Sequence, residues 1–207
     1  NKKQHSLAME AARKVIPEVF EELAELTGRR YPVMDCYRMD DAEAAVVLLN
    51  SAAETAKEVA DRLREKGEKV GVLSLNVLRP FPTDMVREAL KDVKAIVVGD
   101  RADSNGADGG NLSLEIRAAI QIDPDNHTRG LTRIYGLGGK DVDDSDAEEY
   151  FAEALKTVRT GEVEESIAYH GTFAGHPDMK VPAGLPAIER GEVSRGMATV
   201  TENRDSG

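Results

Sequence analysis

Short apolar runs alternate along this chain with longer segments in which apolar residues recur every three or four positions. The runs are typical of strands buried on both faces, and the longer spacing is typical of amphipathic helices. The pattern predicts strands at 44–49, 69–75, 93–100 and 132–139, and helices at 51–66, 83–90, 111–120 and 145–158. This alternation predicts a three-layer αβα fold around a mostly parallel sheet.

A further helix is predicted ahead of the first of these strands. Pro17 interrupts it, so we expect either a kink or two consecutive helices there. Gly28 is suited to cap its carboxyl end. Its apolar positions recur at helical spacing between residues 6 and 26, at Ala8, Ala12, Val15, Val19, Leu23 and Leu26.

Two of the helix starts carry the pattern of a capping box. In this motif a hydroxyl side chain and an acidic side chain three residues later satisfy free backbone amides. Ser51 with Glu54 forms one such pair, and Ser145 with Glu148 forms the other. We therefore expect these two helices to begin at the serines.

The pattern divides the chain into three parts. Residues 1–38 are expected to form an N-terminal helical segment and linker, and residues 39–160 the α/β domain. Residues 161–207 are rich in Gly and Pro and have no sustained period. Their apolar residues favour an arm that lies against another subunit over a disordered tail. Because the chain begins at Asn1 inside a helical pattern, we expect it to be a piece of a longer protein.

Composition excludes several classes of function. A net charge of −11 over 207 residues argues against a nucleic-acid partner and against an anionic membrane surface. No apolar run approaches the ~18 residues that a membrane helix needs. The single cysteine, Cys36, excludes an internal disulfide and a cysteine-rich metal or iron–sulfur site. A chain of this kind is expected in the cytoplasm.

A glycine-rich loop between a strand and a helix, "GDRADSNGADGGN" at 99–111, is the first candidate site. Its backbone amides could receive a phosphate at the helix N-terminus. The spacing matches neither the dinucleotide-binding fingerprint nor the P-loop, and the acidic residues would repel an anion without a metal. We therefore favour turn-forming residues over a ligand loop. The candidate residues are Asp100, Arg101, Asn105, Gly106, Gly109 and Gly110.

The second candidate is the corner formed by Arg79, Pro80, Phe81 and Pro82, where a strand meets a helix. Arg79 could bind a carboxylate or a phosphate. It could also hold an interface, with the prolines fixing the backbone and Phe81 inserted into a neighbour. The residues favour the interface. We predict no catalytic residue and no metal ligand; His170 and His176 are the only histidines near each other.

Several segments in register give a more specific indication. They are "KKQHSLAMEAARKVIPEVFEELAELTGRRY", "YRMDDAEAAVVLLNSAAETAKEVADRLREKGEKVGVLSLNVLRPFP", "VKAIVVGDRADSNGADGGNLSLEI" and "IYGLGGKDV". From residue 2 to residue 158 the chain resembles the α subunit of pyruvate:ferredoxin oxidoreductase and its 2-oxoacid relatives. The resemblance is to that subunit's second domain, which is similar to the C-terminal domain of transketolase. Asn50 departs from the family's typical Gly, and Asn76 stands where many relatives have Arg.

The resemblance implies a multi-subunit enzyme that oxidatively decarboxylates a 2-oxo acid, with pyruvate favoured, to an acyl-coenzyme A. It implies thiamine diphosphate with Mg²⁺, iron–sulfur clusters and coenzyme A in the whole enzyme, and none of them on this chain. This chain would then be a non-catalytic packing domain whose partners are the other subunits, with homo-oligomer contacts as well. The alternative is a stand-alone nucleotide- or coenzyme-A-binding module that uses the 101–110 loop.

Overall fold

The computed structural model describes residues 1–137 and 140–170. Within them the chain forms five helices and six strands. The strands are β1 (Met34–Tyr37), β2 (Ala44–Val47), β3 (Val70–Leu75), β4 (Ala95–Asp100), β5 (Arg129–Ile134) and β6 (Ile167–Tyr169). The helices are α1 (Lys2–Thr27), α2 (Asn50–Glu65), α3 (Thr83–Leu90), α4 (Asn111–Gln121) and α5 (Asp144–Thr160). None of these helices is both long enough and apolar enough to cross a membrane.

The six strands form one sheet in the order β1-β3-β2-β4-β5-β6. All neighbouring strands run parallel except β1, which is antiparallel to β3. From β2 the chain moves to one side to form β3, and then crosses back to form β4 on the other side. The connections therefore reverse direction between β2 and β4, which makes the carboxyl ends of these two strands a topological switch point.

Alternate residues of the central strands enter two separate cores. Ala44 and Val46 of β2 pack in the core beneath α2 and α5. Ala45 and Val47 pack in the core beneath α3 and α4. Side chains of a strand point alternately to its two faces, so a strand covered on both faces is apolar at every position. The predicted αβα architecture with a mostly parallel sheet is confirmed.

The sequence pattern did not predict the two edge strands, β1 and β6. β1 has four residues and alternates in burial, and β6 has three partly exposed residues, so neither forms an apolar run. Both strands lie outside residues 39–160, the predicted extent of the α/β domain. The sheet therefore includes residues before and after that range. The arm predicted at 161–207 lies outside the described residues from 171 onward.

α1 is one helix, and the alternative of two consecutive helices is wrong. It runs through Pro17 because a proline removes only one backbone hydrogen bond, while good helix formers continue on both sides. Gly28 caps the helix as predicted: its φ is +71° and its N–H donates to the Ala24 carbonyl at 2.8 Å. Ala24 is the only buried residue in the helix.

Both predicted capping boxes are wrong in position. α2 begins at Asn50 without a side-chain cap, so Ser51 lies inside the first turn and Glu54 pairs with Lys57 instead. At α5 the box is formed two residues earlier, by Asp143 and Asp146. Aspartate caps as well as serine does, and the run of acidic residues before α5 offers several candidates.

Candidate functional site

A cleft of about 230 Å³ lies at the switch point, above the carboxyl ends of β2 and β4. Leu49 and Asn50 form one wall, Gly99 to Arg101 form the opposite wall, and Tyr135 follows β5. Residues 140–142, ahead of α5, close the rim. Open parallel sheets place their ligands at this position, so the cleft is the strongest candidate for a binding site in the described part of the chain.

The rim of the cleft carries two cations, Arg101 and Lys140, and one exposed carboxylate, Asp141. Arg101 is exposed, and its Nε donates to the Gly136 carbonyl at 3.4 Å. Lys140 Nζ lies 3.2 Å from Asp146 Oδ1. Deeper in the cleft, burial raises the pKa of the Tyr135 phenol, and the positive charge of Arg101 acts against that rise. The arrangement can accept a small anionic group near the start of α2.

Asp100, at the end of β4, is a structural cap. Its Oδ1 accepts from the Leu112 N–H at 2.8 Å and its Oδ2 accepts from the Ser113 N–H at 2.9 Å, which satisfies the free amides of α4. The carboxylate is 5% exposed. Both of its oxygens accept hydrogen bonds from α4, so capping that helix is the role that the contacts of Asp100 indicate.

The rest of the glycine-rich loop is held by its own turns. Asp103 Oδ1 accepts from the Asn105 N–H at 2.9 Å, and the Tyr169 hydroxyl donates to Asp103 Oδ2. Asn105 and Gly106 have positive φ, as turn residues do. Of the predicted loop residues, Asp100 and Arg101 line the cleft, whereas Asn105, Gly106, Gly109 and Gly110 do not. These contacts agree with the turn-forming interpretation.

The corner from Arg79 to Pro82 lies at the same edge of the sheet, after β3. Phe81 is 8% exposed and packs in the core beneath α3 and α4, so the expectation that it inserts into a neighbouring unit is wrong. Pro80 and Pro82 are buried as well. Arg79 is the exposed member, and its guanidinium pairs with Glu115 Oε1 at 2.5 Å. Whether the corner forms an interface stays a prediction, which now depends on Arg79.

Comparison with known proteins assigns the family. The family model for pyruvate:ferredoxin oxidoreductase core domain II matches residues 42–147. The chain belongs to this family. The matched residues include β2 to β5, the cleft and the corner.

Three curated relatives extend the similarity. The pyruvate synthase subunit PorA of Thermotoga maritima is 39% identical over 155 residues, which are 75% of this chain and 39% of that protein. PorA of Pyrococcus abyssi is 38% identical over 164 residues, which cover 79% and 41% of the two chains. The ketoisovalerate oxidoreductase subunit VorA of the same organism is 33% identical over 166 residues, with coverage of 79% and 41%. The chain thus spans about two fifths of the length of these relatives.

Asn50 is a cleft residue whose backbone explains its identity. Its φ is +54°, in the left-handed region that glycine and asparagine tolerate and most other residues avoid. A glycine at this position, which the resemblance leads us to expect, would adopt this conformation without strain. Tyr135 and Lys140 were not predicted as cleft residues, because they come from separate segments that only the fold brings together.

We expect Asn50→Gly to leave the free energy of unfolding within about 0.5 kcal/mol of the parent, and Asn50→Val to lower it by about 1–2 kcal/mol. Ser51→Ala is the matched control, since Ser51 is exposed and does not cap α2. Urea unfolding at equilibrium measures all three variants. Equal stability of the Gly and Val variants would contradict the assigned backbone conformation.

A second group of polar residues lies beneath the other edge of the sheet. Arg133 of β5 is 2% exposed, and its guanidinium donates to both carboxylate oxygens of Glu153, at 2.8 and 2.9 Å. His170 Nε2 lies 3.3 Å from Glu149 Oε2. Glu149, Glu153 and His170 are close enough together for a metal site, but Arg133 occupies the Glu153 carboxylate. The pairing of His170 with His176 lies outside the described residues.

Cys36, on the edge strand β1, is exposed. Desolvation raises the pKa of its thiol, and the carboxylates of Asp35 and Asp40 raise it further. A thiol with a raised pKa is a poor nucleophile and a poor metal ligand at neutral pH.

Proposed function

We propose that this chain is the core domain II part of the α subunit of a 2-oxoacid:ferredoxin oxidoreductase, and that it packs subunits rather than carrying out chemistry. The observation that carries the proposal is the family match over residues 42–147, extended to 39% identity with a pyruvate synthase subunit. Pyruvate is the proposed substrate of the whole enzyme, because the relatives at 39% and 38% identity are both pyruvate synthase subunits.

The residues of this chain do not fit the cofactors that such an enzyme uses. An iron–sulfur cluster takes four thiolate ligands, and the chain has one cysteine. Thiamine diphosphate binds through Mg²⁺, which needs free oxygen ligands. The acidic residue best placed at the switch point, Asp100, already accepts two hydrogen bonds with its two oxygens. We therefore assign thiamine diphosphate and the clusters to other parts of the enzyme.

What this chain contributes, in this proposal, is rigidity at a subunit boundary. Catalysis depends on holding reacting groups within a fraction of an ångström, and that precision requires stiff supports. A sheet covered on both faces is such a support. The exposed Arg79 guanidinium is fixed by Glu115 on α4, and its remaining N–H groups can donate to a neighbouring subunit.

Affinity purification of the tagged chain from its source cells tests the function. We expect it to co-purify with subunits that contain thiamine diphosphate and clusters, and the assembly to reduce a ferredoxin with pyruvate and coenzyme A. The chain purified alone should be inactive with added thiamine diphosphate. Activity of the isolated chain, or an assembly that oxidises no 2-oxo acid, would overturn the proposal.

Arg79→Ala should weaken assembly without changing the unfolding midpoint of the isolated chain.

The cleft supports a second candidate, a nucleotide- or coenzyme-A-binding module. Arg101 and Lys140 are the groups that favour it, since both are cations at the rim of a cavity at the switch point. Titration calorimetry of the isolated chain with coenzyme A separates the two candidates. Saturable micromolar binding that Arg101→Ala abolishes would favour the binding module, and no heat of binding would favour the packing domain.

A further inference from the structure

One face of α1 is apolar and exposed. Val15 and Val19 are each 50% exposed and Leu26 is 85% exposed. They are four and seven residues apart, so they lie along one side of the helix. We call these three residues the α1 stripe.

The body of the domain covers a different side of α1. Ala24 is buried, and Ile16 and Phe20 are partly buried, again at spacings of four. Arg13 Nη1 donates to the Phe81 carbonyl at 2.8 Å, which joins the helix to the corner after β3. The stripe lies about a third of a turn away from this side, and nothing in the described residues covers it. A row of large apolar side chains with this exposure is typical of a contact surface.

Acidic residues border the stripe. Glu18 and Glu22 lie three residues after Val15 and Val19 respectively, and Glu25 lies in the last turn. Among the residues that the structure describes, these three carboxylates form no ion pair, whereas Glu21 pairs with Arg30 at 2.7 Å. Glu25 lies in the last turn of α1, where the helix dipole disfavours a negative charge, and no basic residue in that turn offsets it. A partner with a basic rim would offset that repulsion.

We propose that the α1 stripe docks into an apolar groove with a basic rim on the part of the α subunit that this chain does not contain. The matched residues span 39–41% of the length of the relatives, so more than half of such a subunit lies outside the match and can contribute the groove. α1 also lies outside the family match, which begins at residue 42. In this proposal α1 is the contact between core domain II and the rest of the subunit. This inference rests on the proposed function.

Thiol labelling in the assembled enzyme tests the docking. In a Cys36→Ser background, Val19→Cys is expected to react with a maleimide at least tenfold more slowly in the assembled enzyme than in the chain alone. Glu10→Cys is the matched control: it lies nine residues away, about two and a half turns, and therefore on the opposite face. Its labelling rate should be the same in both forms.

The outcomes separate the two proposals. If the assembly is active and Val19→Cys labels as fast as in the chain alone, the docking proposal fails and the proposed function stands. If no oxidoreductase assembles around the chain, both fail. Protection of Val19→Cys in the chain alone, increasing with protein concentration, would show that a second copy covers the stripe and would overturn the docking.

The strength and rate of association with the rest of the subunit give a second test, with variants that introduce or reverse a charge on α1. We expect Val19→Glu to weaken association with the rest of the subunit at least tenfold, and Glu22→Lys to slow it. Glu10→Lys should do neither. The unfolding midpoint of the isolated chain should not change in any of them, since all three side chains are exposed. Unchanged association of Val19→Glu in an active assembly would count against the stripe as the docking surface.

Discussion

Glu153→Ala is expected to lower the free energy of unfolding by about 3 kcal/mol, because it leaves a buried guanidinium without its counter-charge. Arg133 is 2% exposed, and Glu153 is its only carboxylate partner among the described residues. The remaining acceptors are carbonyls, at Thr132 (2.7 Å) and Glu165 (3.2 Å). These can solvate the guanidinium in part but cannot neutralise its charge.

Two further variants show that burial of the charge, and not loss of a contact, causes the effect. Arg133→Met with Glu153→Leu removes both charges and should recover most of the lost stability, as apolar replacements of buried pairs often do. Glu148→Ala on the same helix removes an exposed carboxylate that pairs with Arg62, and it should leave the unfolding midpoint unchanged. Equilibrium unfolding in urea measures all of them. A loss below about 1 kcal/mol in Glu153→Ala would show that water reaches the guanidinium.

The same pair holds the edge strand β6. Arg133 donates from β5 to the Glu165 carbonyl, which lies two residues before β6 begins. Loss of Glu153 should therefore weaken the hydrogen-exchange protection of residues 167–169 before that of the central strands. Equal loss of protection across the sheet would indicate that the pair stabilises the domain as a whole.

The central sheet could be predicted from the sequence because its strands are buried on both faces. In β4, for example, Ile96, Val97 and Val98 form a run that a half-exposed strand would not have. The edge strands could not be predicted in this way. β6 has three residues, and what makes it a strand is its pairing with β5 and the contacts of Arg133 and Tyr169, all of which join distant parts of the chain.

The site was predictable only in part, for a similar reason. The strand ends that carry Asp100 and Arg79 could be placed at one edge of the sheet from the order of elements. The order of the strands in the sheet could not be predicted. This order places the cleft between β2 and β4 and not beside the corner. The burial of Phe81 also depends on non-local packing, in a core that contains residues as distant in sequence as Met34 and Ile116. Its aromatic ring alone is equally suited to an interface and to a core.

Gly110→Ala is expected to lower the free energy of unfolding by about 3 kcal/mol, the upper end of the range for overpacked sites. A Cβ at this position would lie 2.3 Å from the Cγ and 2.4 Å from the Cβ of Asp100. The Asp100 Cβ is fixed to β4 and cannot rotate away, so either the strand or the start of α4 has to move. Any such movement also strains the hydrogen bonds from Leu112 and Ser113 to the Asp100 carboxylate.

Gly130→Ala is the matched control for Gly110→Ala. It also adds one methyl group to a glycine, here in β5, but the nearest atom to its added Cβ is 3.8 Å away, an ordinary contact. It should be neutral or slightly stabilising, since alanine restricts the unfolded chain more than glycine does. If both variants lost the same stability, the loss in Gly110→Ala would come from backbone flexibility and not from the approach to Asp100.

A double-mutant cycle identifies what Gly110 protects. Asp100→Ala removes the cap of α4 and should cost about 1–2 kcal/mol. If Gly110→Ala acts by displacing the Asp100 carboxylate, that cap is already weakened in the single variant, so the double variant should lose less than the sum of the two. Additive losses would mean that the added methyl group displaces β4 and leaves the cap intact. If the losses are less than additive, Gly110 is required because Asp100 has to reach the amides of α4. The Asp100 carboxylate at the switch point then stabilises the fold and does not bind a ligand.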